Sequence, residues 1–342
     1  MQASWLCRKT LSMCAPLGAA VARQTSLGAR CRGFAAAAAE VGPVGFIGLG
    51  NMGSPMARNL LKAGCEVVAF DVNQSSVSNL VSGGATAASS PAEVAAAVQT
   101  VITMLPSNPH VRKVYLDSTD GVLAGVRKGS LLIDCSTCEP AMSQEVASAA
   151  AKCGAILVDA PVSGGTPGAE QATLTFMVGG PEDGFKRAEV VLQMLGKKIV
   201  HCGDSGMGQA AKLINNLILG ISMAAVCEGH ALAGRLGLDQ QRLAEILNTS
   251  SARCWSSDTY NPCPGVMEGV PAARGYTGGF ACDLMIKDLG LAASAANSAQ
   301  PRLGLPMGGL ALQVYTLMSA HGAGRKDFSG LYEFLAEIPE SK

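Results

Sequence analysis

Two patterns of apolar residues divide the chain at about residue 204. Before it, short apolar runs alternate with segments whose apolar positions recur at helical spacing. The runs predict strands at residues 44–47, 66–70, 101–105, 131–134, 174–178 and 199–202, and the other segments predict helices at residues 54–63, 91–97, 140–152 and 181–195. This alternation predicts βαβ units and a parallel sheet.

Beyond residue 206 long helical segments follow, and strands no longer recur. The longest segment, residues 208–235, consists mostly of Ala, Leu, Ile, Met and Val, which is typical of a helix buried on several faces. A loop rich in Pro and Gly at residues 261–279 interrupts the helices. We therefore predict an α/β domain over residues 40–204 and an all-helical domain over residues 205–342.

The first predicted strand leads directly into a glycine-rich turn, and a helix follows it. The turn reads Gly48-Leu49-Gly50-Asn51-Met52-Gly53. In a G-x-G-x-x-G turn the first glycine permits the bend, the second lets a pyrophosphate approach the backbone, and the third allows close helix packing. Phosphates then lie at the positive end of the helix. The strand, turn and helix together predict a dinucleotide site.

Asp71 follows the second predicted strand, 18 residues after Gly53. A carboxylate there accepts hydrogen bonds from an adenosine ribose, and its charge repels a 2′-phosphate. This position predicts NAD rather than NADP as the cofactor. The alternative is that Asp71 is an ordinary turn residue before Asn73.

Three loops are candidates for the ligand-facing edge of the sheet. In parallel sheets the ligand lies beyond the carboxyl ends of the strands, which here are followed by residues 105–107, 135–137 and 159–165. Each loop could instead be a plain connection. The third contains Ser163, Gly164 and Gly165, a hydroxyl beside two uncovered backbone amides, and this combination suits a carboxylate. The alternative there is a glycine hinge.

One cation and two amides interrupt the apolar helix 208–235. Lys212 and Asn216 are one turn apart and share a face, with Asn215 beside them. Desolvation lowers the pKa of a lysine, which makes it usable as a general acid or base near neutral pH. Alternatively, Lys212 reaches the solvent and the two Asn side chains bridge neighbouring backbone.

Composition narrows the classes of function. A chain of 342 residues has room for two domains with sizeable cores. Its 26 basic and 26 acidic residues balance, so charge indicates neither nucleic acid nor an anionic membrane as a partner. No uninterrupted apolar run approaches the length of a membrane span. Residues 1–39 carry spread Arg and Lys residues and no acidic residue, which predicts a mitochondrial transit peptide and a matrix enzyme.

The cysteines do not indicate a metal site. Of the 12 cysteines, Cys135 and Cys138 form the C-x-x-C pair, and a single pair is a weak zinc signal. We predict reduced cysteines and no metal.

Three motifs in order make the chain similar to the β-hydroxyacid dehydrogenases. They are the glycine-rich turn, the stretch Asp-Ala-Pro-Val-Ser-Gly-Gly from Asp159, and the pattern Gly-x-Gly-x-x-x-Lys-x-x-x-Asn from Gly206. The resemblance extends from about Pro43 to the C-terminal region. It implies an NAD-dependent dehydrogenase with an N-terminal Rossmann dinucleotide-binding domain and an all-helical C-terminal domain.

The resemblance also implies roles for matching residues. Lys212 is implied as the general acid/base and Asn216 as its substrate-binding partner, and residues 163–165 as the carboxylate site. The implied cofactor contacts beyond the turn are Leu105, Pro106, Thr137 and Lys287. Lys287 has an alternative role in an ion pair near Asp283 or Asp288. Where relatives carry an Asn after Leu-Pro, this chain places His110, with Asn108 two residues earlier, and which of the two contacts the cofactor stays open.

Two segments, residues 251–262 and 284–291, resemble family members of valine catabolism. This implies reversible oxidation of 3-hydroxyisobutyrate to methylmalonate semialdehyde and a homodimer or homotetramer. One alternative is a sister enzyme that reduces tartronate semialdehyde or glyoxylate, and the region around Trp255 argues against it. Another is an NAD-binding interaction module without catalysis.

Overall fold

The computed structural model describes residues 38–336. The predicted transit peptide, residues 1–39, lies almost wholly outside the described residues. The α/β half consists of β1 (Val44–Ile47), α1 (Gly53–Lys62), β2 (Val67–Phe70), α2 (Gln74–Val81), β3 (Thr86–Ala87), α3 (Pro91–Ala97), β4 (Thr100–Thr103), α4 (Asn108–Leu116), α5 (Val122–Gly125), β5 (Leu131–Asp134), α6 (Pro140–Lys152), β6 (Ile156–Asp159), β7 (Val162–Ser163), α7 (Gly165–Glu170), β8 (Leu174–Gly179), α8 (Glu182–Leu192) and β9 (Gly196–Gly203).

The second half contains helices. They are α9 (Met207–Leu236), α10 (Gln240–Thr249), α11 (Trp255–Asp258), α12 (Cys282–Ser298), α13 (Pro306–Met318) and α14 (Leu331–Ala336), with short 3-10 helices at Pro271–Arg274 and Phe328–Gly330 and a π-helical turn at Ser319–Ala323. The predicted fold class, a Rossmann-type α/β part followed by a helical part, is confirmed.

The nine strands form one sheet in the order β3-β2-β1-β4-β5-β6-β8-β7, with β9 paired to β8. The strands from β3 to β6 run parallel, and their carboxyl ends therefore meet at one edge. Strands β1, β4 and β5 are buried along their whole length, because helices cover both faces of the sheet. Continuous apolar runs in the sequence reflect this burial.

The sheet is parallel, as predicted, except at one end. β8 runs antiparallel to both β6 and β7, and β9 runs parallel to β8. The segment 159–165, predicted as a loop, contains the end of β6, the two-residue strand β7 and the first residue of α7. So short a strand leaves no alternating pattern in the sequence, because that pattern needs about four residues to be recognised.

Helix α9 is the centre of the helical half. It packs against α12, α13 and α14 around a buried cluster that includes Met223, Met285 and Tyr315. Among the described helices it is the one that is long and apolar enough to cross a membrane, with a mean hydropathy of 1.6 over 18 residues. Part of this apolar surface packs against the other helices and the sheet, and 39% of the 18-residue window is buried.

The N-terminus of α9 is inserted against the carboxyl edge of the sheet. Asp159, fully buried at the end of β6, accepts hydrogen bonds from Gly206 N at 2.7 Å and Gln209 N at 2.9 Å. A side chain on Gly208 would clash with the Met177 carbonyl oxygen of β8, so a glycine is required for this approach. The two halves therefore meet where the strands end, which is where a ligand is expected.

Candidate active site

The glycine-rich turn joins β1 to α1, and its three glycines have different surroundings. A Cβ on Gly48, whose φ is +95°, would clash with the Met104 carbonyl oxygen, and a Cβ on Gly53 would clash with the carbonyl oxygen of Gly48. A Cβ on Gly50 would have no atom within 4 Å. Backbone packing thus requires Gly48 and Gly53, whereas Gly50 faces open space beside the exposed Asn51. This arrangement fits a pyrophosphate that approaches the backbone.

Asp71 lies directly beneath this turn. Its Oδ2 accepts a hydrogen bond from Leu49 N at 2.5 Å, and its Oδ1 accepts one from Asn73 N at 2.7 Å. The carboxylate therefore stabilises the glycine-rich turn and the bend after β2 together. Each oxygen keeps a second lone pair, so Asp71 can also accept from a ribose hydroxyl.

A cleft of about 460 Å³ connects the glycine-rich turn to α7. Gly50 and Asn51 line one side, and Thr166 and Glu170 of α7 line the other. Asn59 of α1, which is buried, donates a hydrogen bond to the Ala169 carbonyl oxygen at 2.6 Å. The segment that follows Ser163 and Gly164 is thereby attached to the dinucleotide-binding helix.

Lys287 of α12 lies between two of the predicted cofactor loops. Its Nζ donates to the Thr137 carbonyl oxygen at 3.2 Å and lies 3.5 Å from the Pro106 carbonyl oxygen. It also lies 3.3 Å from Asp288 Oδ1, so the ion pair considered as an alternative role is present as well. The structure thus brings Lys287, Thr137 and Pro106 together, with Leu105 in the same loop as Pro106.

A buried polar network supports these two loops from the sheet side. Asp134 Oδ1, at the end of β5, accepts from Ser136 Oγ at 2.6 Å, Thr103 Oγ1 at 2.8 Å and Ser136 N at 3.1 Å. Ser136 Oγ in turn accepts from Leu105 N at 2.8 Å. Burial raises the pKa of Asp134 to about 6, although these hydrogen bonds favour the carboxylate. Asp134 therefore fixes Ser136, and Ser136 fixes the Leu105 loop.

Lys212, Asn216 and Asp288 form a hydrogen-bonded row. Lys212 Nζ donates to Asn216 Oδ1 at 3.0 Å, and Asn216 Nδ2 donates to Asp288 Oδ2 at 2.5 Å. Their exposed fractions are 8%, 2% and 2%. Because a carboxylate only accepts, Asp288 turns the Asn216 carbonyl oxygen toward the lysine. Lys212 is too buried for the alternative in which it reaches the solvent.

The environment of Lys212 suits proton transfer. Burial lowers the pKa of Lys212 from its usual value, Asp288 opposes this effect, and Lys287 adds to it. The neutral amine is therefore more accessible than in a lysine exposed to water. Asn215, by contrast, is exposed and donates to Asn216 Oδ1 at 3.1 Å.

Ser163, Gly164 and Gly165 lie at the same edge of the sheet as the N-terminus of α9. β7 pairs Ser163 with Thr175 of β8, and two residues later β8 reaches Met177, against which Gly208 packs. Gly164 has φ +134° and Gly165 has φ +60°, so both need the conformational freedom of glycine. The two glycines are exposed and Ser163 is half-buried, as a site open to a small acid requires.

Asn108 and His110, the two candidates for one cofactor contact, have different surroundings. Asn108 Oδ1 accepts from Glu139 N at 3.0 Å, whereas His110 is exposed and its Nδ1 is 2.8 Å from Ser107 Oγ.

Trp255 begins α11, stacks on Tyr260 at 4.6 Å, and is 44% exposed. The neighbouring Ser256 touches α9 at Ser222, about 15 Å along the helix from Lys212 at 1.5 Å per residue. Trp255 is thus attached to α9 at a distance from Lys212.

Three residues of the site carried no signal that sequence analysis used. The sequence indicates Asp288 only as an ion-pair partner of Lys287, and it indicates no role in the site for Gln209 or Asp134. Gln209 lies three residues before Lys212 on the same helix, and this spacing could have indicated that it is a neighbour of the lysine.

The cysteines and acids give no metal centre in the part of the chain that the structure describes. Residues 38–336 contain no group of three or more His, Cys, Asp or Glu side chains that could hold a metal ion. Cys135 and Cys138 are both buried, and burial raises the pKa of each thiol.

Two protein-family models match the chain in succession. The model described as the NAD binding domain of 6-phosphogluconate dehydrogenase matches residues 43–203. The model described as NAD-binding of NADP-dependent 3-hydroxyisobutyrate dehydrogenase matches residues 206–335. The change from one model to the other coincides with the change from α/β to helical structure.

Named relatives and solved structures agree with these models. A probable mitochondrial 3-hydroxyisobutyrate dehydrogenase of Dictyostelium discoideum is 54% identical, over 85% of this chain and 90% of its own length. The mitochondrial 3-hydroxyisobutyrate dehydrogenase of Homo sapiens is 51% identical, over 86% and 87%. An NAD-dependent L-serine dehydrogenase of Pseudomonas aeruginosa is 46% identical, over 84% and 95%.

The structure of Mycobacterium tuberculosis 3-hydroxyisobutyrate dehydrogenase with L-serine is also similar. It has a TM-score of 0.82 at 39% identity and covers 87% of this chain and all of its own. The mitochondrial names of two relatives agree with the import segment predicted here and support a mitochondrial location. The chain belongs to the 3-hydroxyisobutyrate dehydrogenase family of NAD-binding oxidoreductases.

Proposed function

We propose that this protein oxidises 3-hydroxyisobutyrate reversibly to methylmalonate semialdehyde with NAD, a step of valine catabolism. The observation that carries the proposal is the buried row of Lys212, Asn216 and Asp288 at the carboxyl edge of a dinucleotide-binding sheet. The high identity to relatives of that name supports the choice of substrate.

Residues of both halves would hold the reactants. Gly48, Gly50, Asn51, Met52 and Gly53 would bind the pyrophosphate, and Asp71 the ribose. The nicotinamide end of NAD would contact Leu105, Pro106, Thr137 and Lys287. The ammonium of Lys287 already joins the loop of Pro106 to the loop of Thr137. Ser163, Gly164 and Gly165 would accept the substrate carboxylate through a hydroxyl and backbone amides.

Lys212 manages the proton of the reaction. NAD, when bound, supplies the hydride acceptor. In oxidation, neutral Lys212 accepts the proton of the substrate hydroxyl, and in reduction its ammonium form returns a proton to the developing alkoxide. Asn216 donates one N–H to Asp288 and keeps the second for a substrate oxygen. Burial of the row excludes water and strengthens these interactions.

Three further assignments complete the proposal. The transit peptide comprises residues 1–39 and directs the protein to the mitochondrial matrix, residues 40–204 bind NAD, and residues 205–342 form the helical substrate and oligomerisation domain.

The protein forms a homodimer or homotetramer, and an exposed apolar stripe on α9 supports this assignment. Ile214, Ile218, Leu232 and Leu236 are 57%, 61%, 58% and 74% exposed, and their spacing keeps them on one face.

Replacing Lys212 tests the proposed reaction. Lys212→Met keeps the apolar stem and removes the amine, so kcat for 3-hydroxyisobutyrate should fall on the order of a hundredfold or more, as expected for removal of a general acid/base. The substrates tested are 3-hydroxyisobutyrate, L-serine, tartronate semialdehyde and glyoxylate, and NADH absorbance measures the turnover of each. NADH binding should persist in a fluorescence titration, and Lys198→Met, an exposed lysine of β9, should match the wild type. Near-normal turnover of Lys212→Met would refute the assignment.

The rate of oxidation should rise with pH and the rate of reduction should fall. Oxidation needs the neutral amine of Lys212, and burial lowers its pKa, so the rise in kcat/KM should level off below the usual lysine value of 10.5. Asp288 opposes this lowering, so Asp288→Asn should move the midpoint to still lower pH. The measurement is a pH profile in both directions. A midpoint that stays in place in Asp288→Asn would contradict this account of the lysine.

The preference for NAD should depend on the charge of Asp71. Asp71→Asn keeps an oxygen for Leu49 N but removes the charge that repels a 2′-phosphate. We expect kcat/KM with NADP relative to NAD to rise about tenfold, which corresponds to about 1.4 kcal/mol. Steady-state kinetics with both cofactors measure the ratio. If the ratio is unchanged, Asp71 only stabilises the turn.

A charge on the apolar stripe should break the oligomer. Ile218→Glu places a carboxylate on a surface that association would desolvate, which is costly for an unpaired charge. The mass in solution, measured by light scattering at several concentrations, should fall toward that of the 34.8 kDa chain. Val200→Glu on β9, outside the stripe, is the control. An unchanged mass for Ile218→Glu would place the interface elsewhere.

A further inference from the structure

Gln209 of α9 connects the catalytic helix to a cofactor loop through both ends of its side-chain amide. Its Nε2 donates to the Ser136 carbonyl oxygen at 2.7 Å, and its Oε1 accepts from Cys138 N at 3.1 Å. The side chain is fully buried. These two hydrogen bonds lie on either side of Thr137 and leave its peptide little freedom to move.

Thr137 is held from other directions as well. Lys287 Nζ donates to its carbonyl oxygen, and Asp134 holds the preceding Ser136 from below. Ser136 also accepts from Leu105 N, so the same residue fixes the neighbouring cofactor loop. A displacement at Ser136 would therefore move both loops at once.

The helix itself does not need this side chain to stay in place. Asp159 already holds the N-terminus of α9 through the backbone N–H groups of Gly206 and Gln209. Removing the Gln209 amide leaves those bonds intact. What it removes is the link between the loop and a helix whose next turn carries Lys212.

We infer that Gln209 is a positioning residue that sets the place of the Ser136–Cys138 loop relative to Lys212. The proton acceptor lies on α9 and the nicotinamide side of the cofactor site lies on the loop, so their relative position decides whether hydride and proton leave the substrate together. Misplacement by about 1 Å is enough to slow such a step on the order of a hundredfold. The inference rests on the proposed function.

The test is a comparison of Gln209→Met with the wild type. Methionine has nearly the volume of glutamine and makes neither hydrogen bond. We expect kcat for 3-hydroxyisobutyrate to fall on the order of tenfold to a hundredfold, with KM for NAD changed less than about threefold because the glycine-rich turn is untouched. With substrate deuterated at the carbinol carbon, the isotope effect on kcat should increase, since hydride transfer becomes rate-limiting.

Gln144→Met is the matched control. Gln144 is an exposed residue of α6 that donates to the Ser205 carbonyl oxygen at 3.3 Å, beside the same helix terminus. Its substitution should leave kcat and the isotope effect unchanged. If Gln209→Met is not recovered folded, Gln209→Asn, whose amide is one methylene too short to span both partners, is measured in the same assays.

The outcomes separate this inference from the proposed function. A folded Gln209 variant with wild-type kcat and isotope effect would overturn the positioning role alone, and so would a loss confined to thermal stability or to KM for NAD. A wild-type protein that turns over none of the acids would overturn the proposed function and this inference with it.

Discussion

The structure depends on one buried carboxylate at the junction of its two halves. Asp159 ends β6 and accepts hydrogen bonds from backbone N–H groups at the start of α9. The positive end of the helix therefore offsets part of the charge of the carboxylate. Burial raises the pKa of Asp159 and the hydrogen bonds oppose this effect, so the carboxylate is held by contacts that only the assembled junction supplies. The position of every functional group on α9 follows from this contact.

Helix α9, which this contact positions, carries polar groups whose burial lowers the stability of the fold. A buried lysine and a buried carboxylate lose hydration, and the structure compensates by placing the Asn216 amide between them. Such a row is poor for stability when compared with apolar packing of the same volume, but it holds a titratable amine in a dry site. The exposed fractions of Lys212, Asn216 and Asp288 are 8%, 2% and 2%, so little water reaches the row.

On the sheet side, a second polar network faces the first. Asp134, Ser136 and Thr103 connect the ends of β4 and β5, and Gln209 joins this network to α9. A dehydrogenase must place the cofactor against the carbon that loses the hydride and a proton acceptor against the hydroxyl, so the position of the loop relative to α9 matters. Lys287 forms a second link, because its ammonium pairs with Asp288 and donates to the Thr137 carbonyl oxygen.

The sequence by itself determined the α/β and helical parts and several elements to the residue, including Pro91–Ala97, Leu131–Asp134 and Pro140–Lys152. It did so because strands buried on both faces and amphipathic helices leave local periodic patterns, and because the glycine-rich turn has a fixed spacing. The pairing of Lys212 with Asn216 was likewise predictable, since both lie on one turn of one helix.

Only the tertiary structure decided the reversal of β8 and the place of β7, because strand direction at the end of a sheet depends on contacts that local patterns do not encode. The same holds for the partners of the site. Asp288 lies 72 residues from Asn216 along the chain, and Gln209 lies 73 residues from Ser136. The first contact forms when α9 packs against α12 within the helical half, and the second forms when the two halves pack together. Local sequence patterns encode neither contact, so the surroundings of the proposed proton-transfer lysine follow from packing alone.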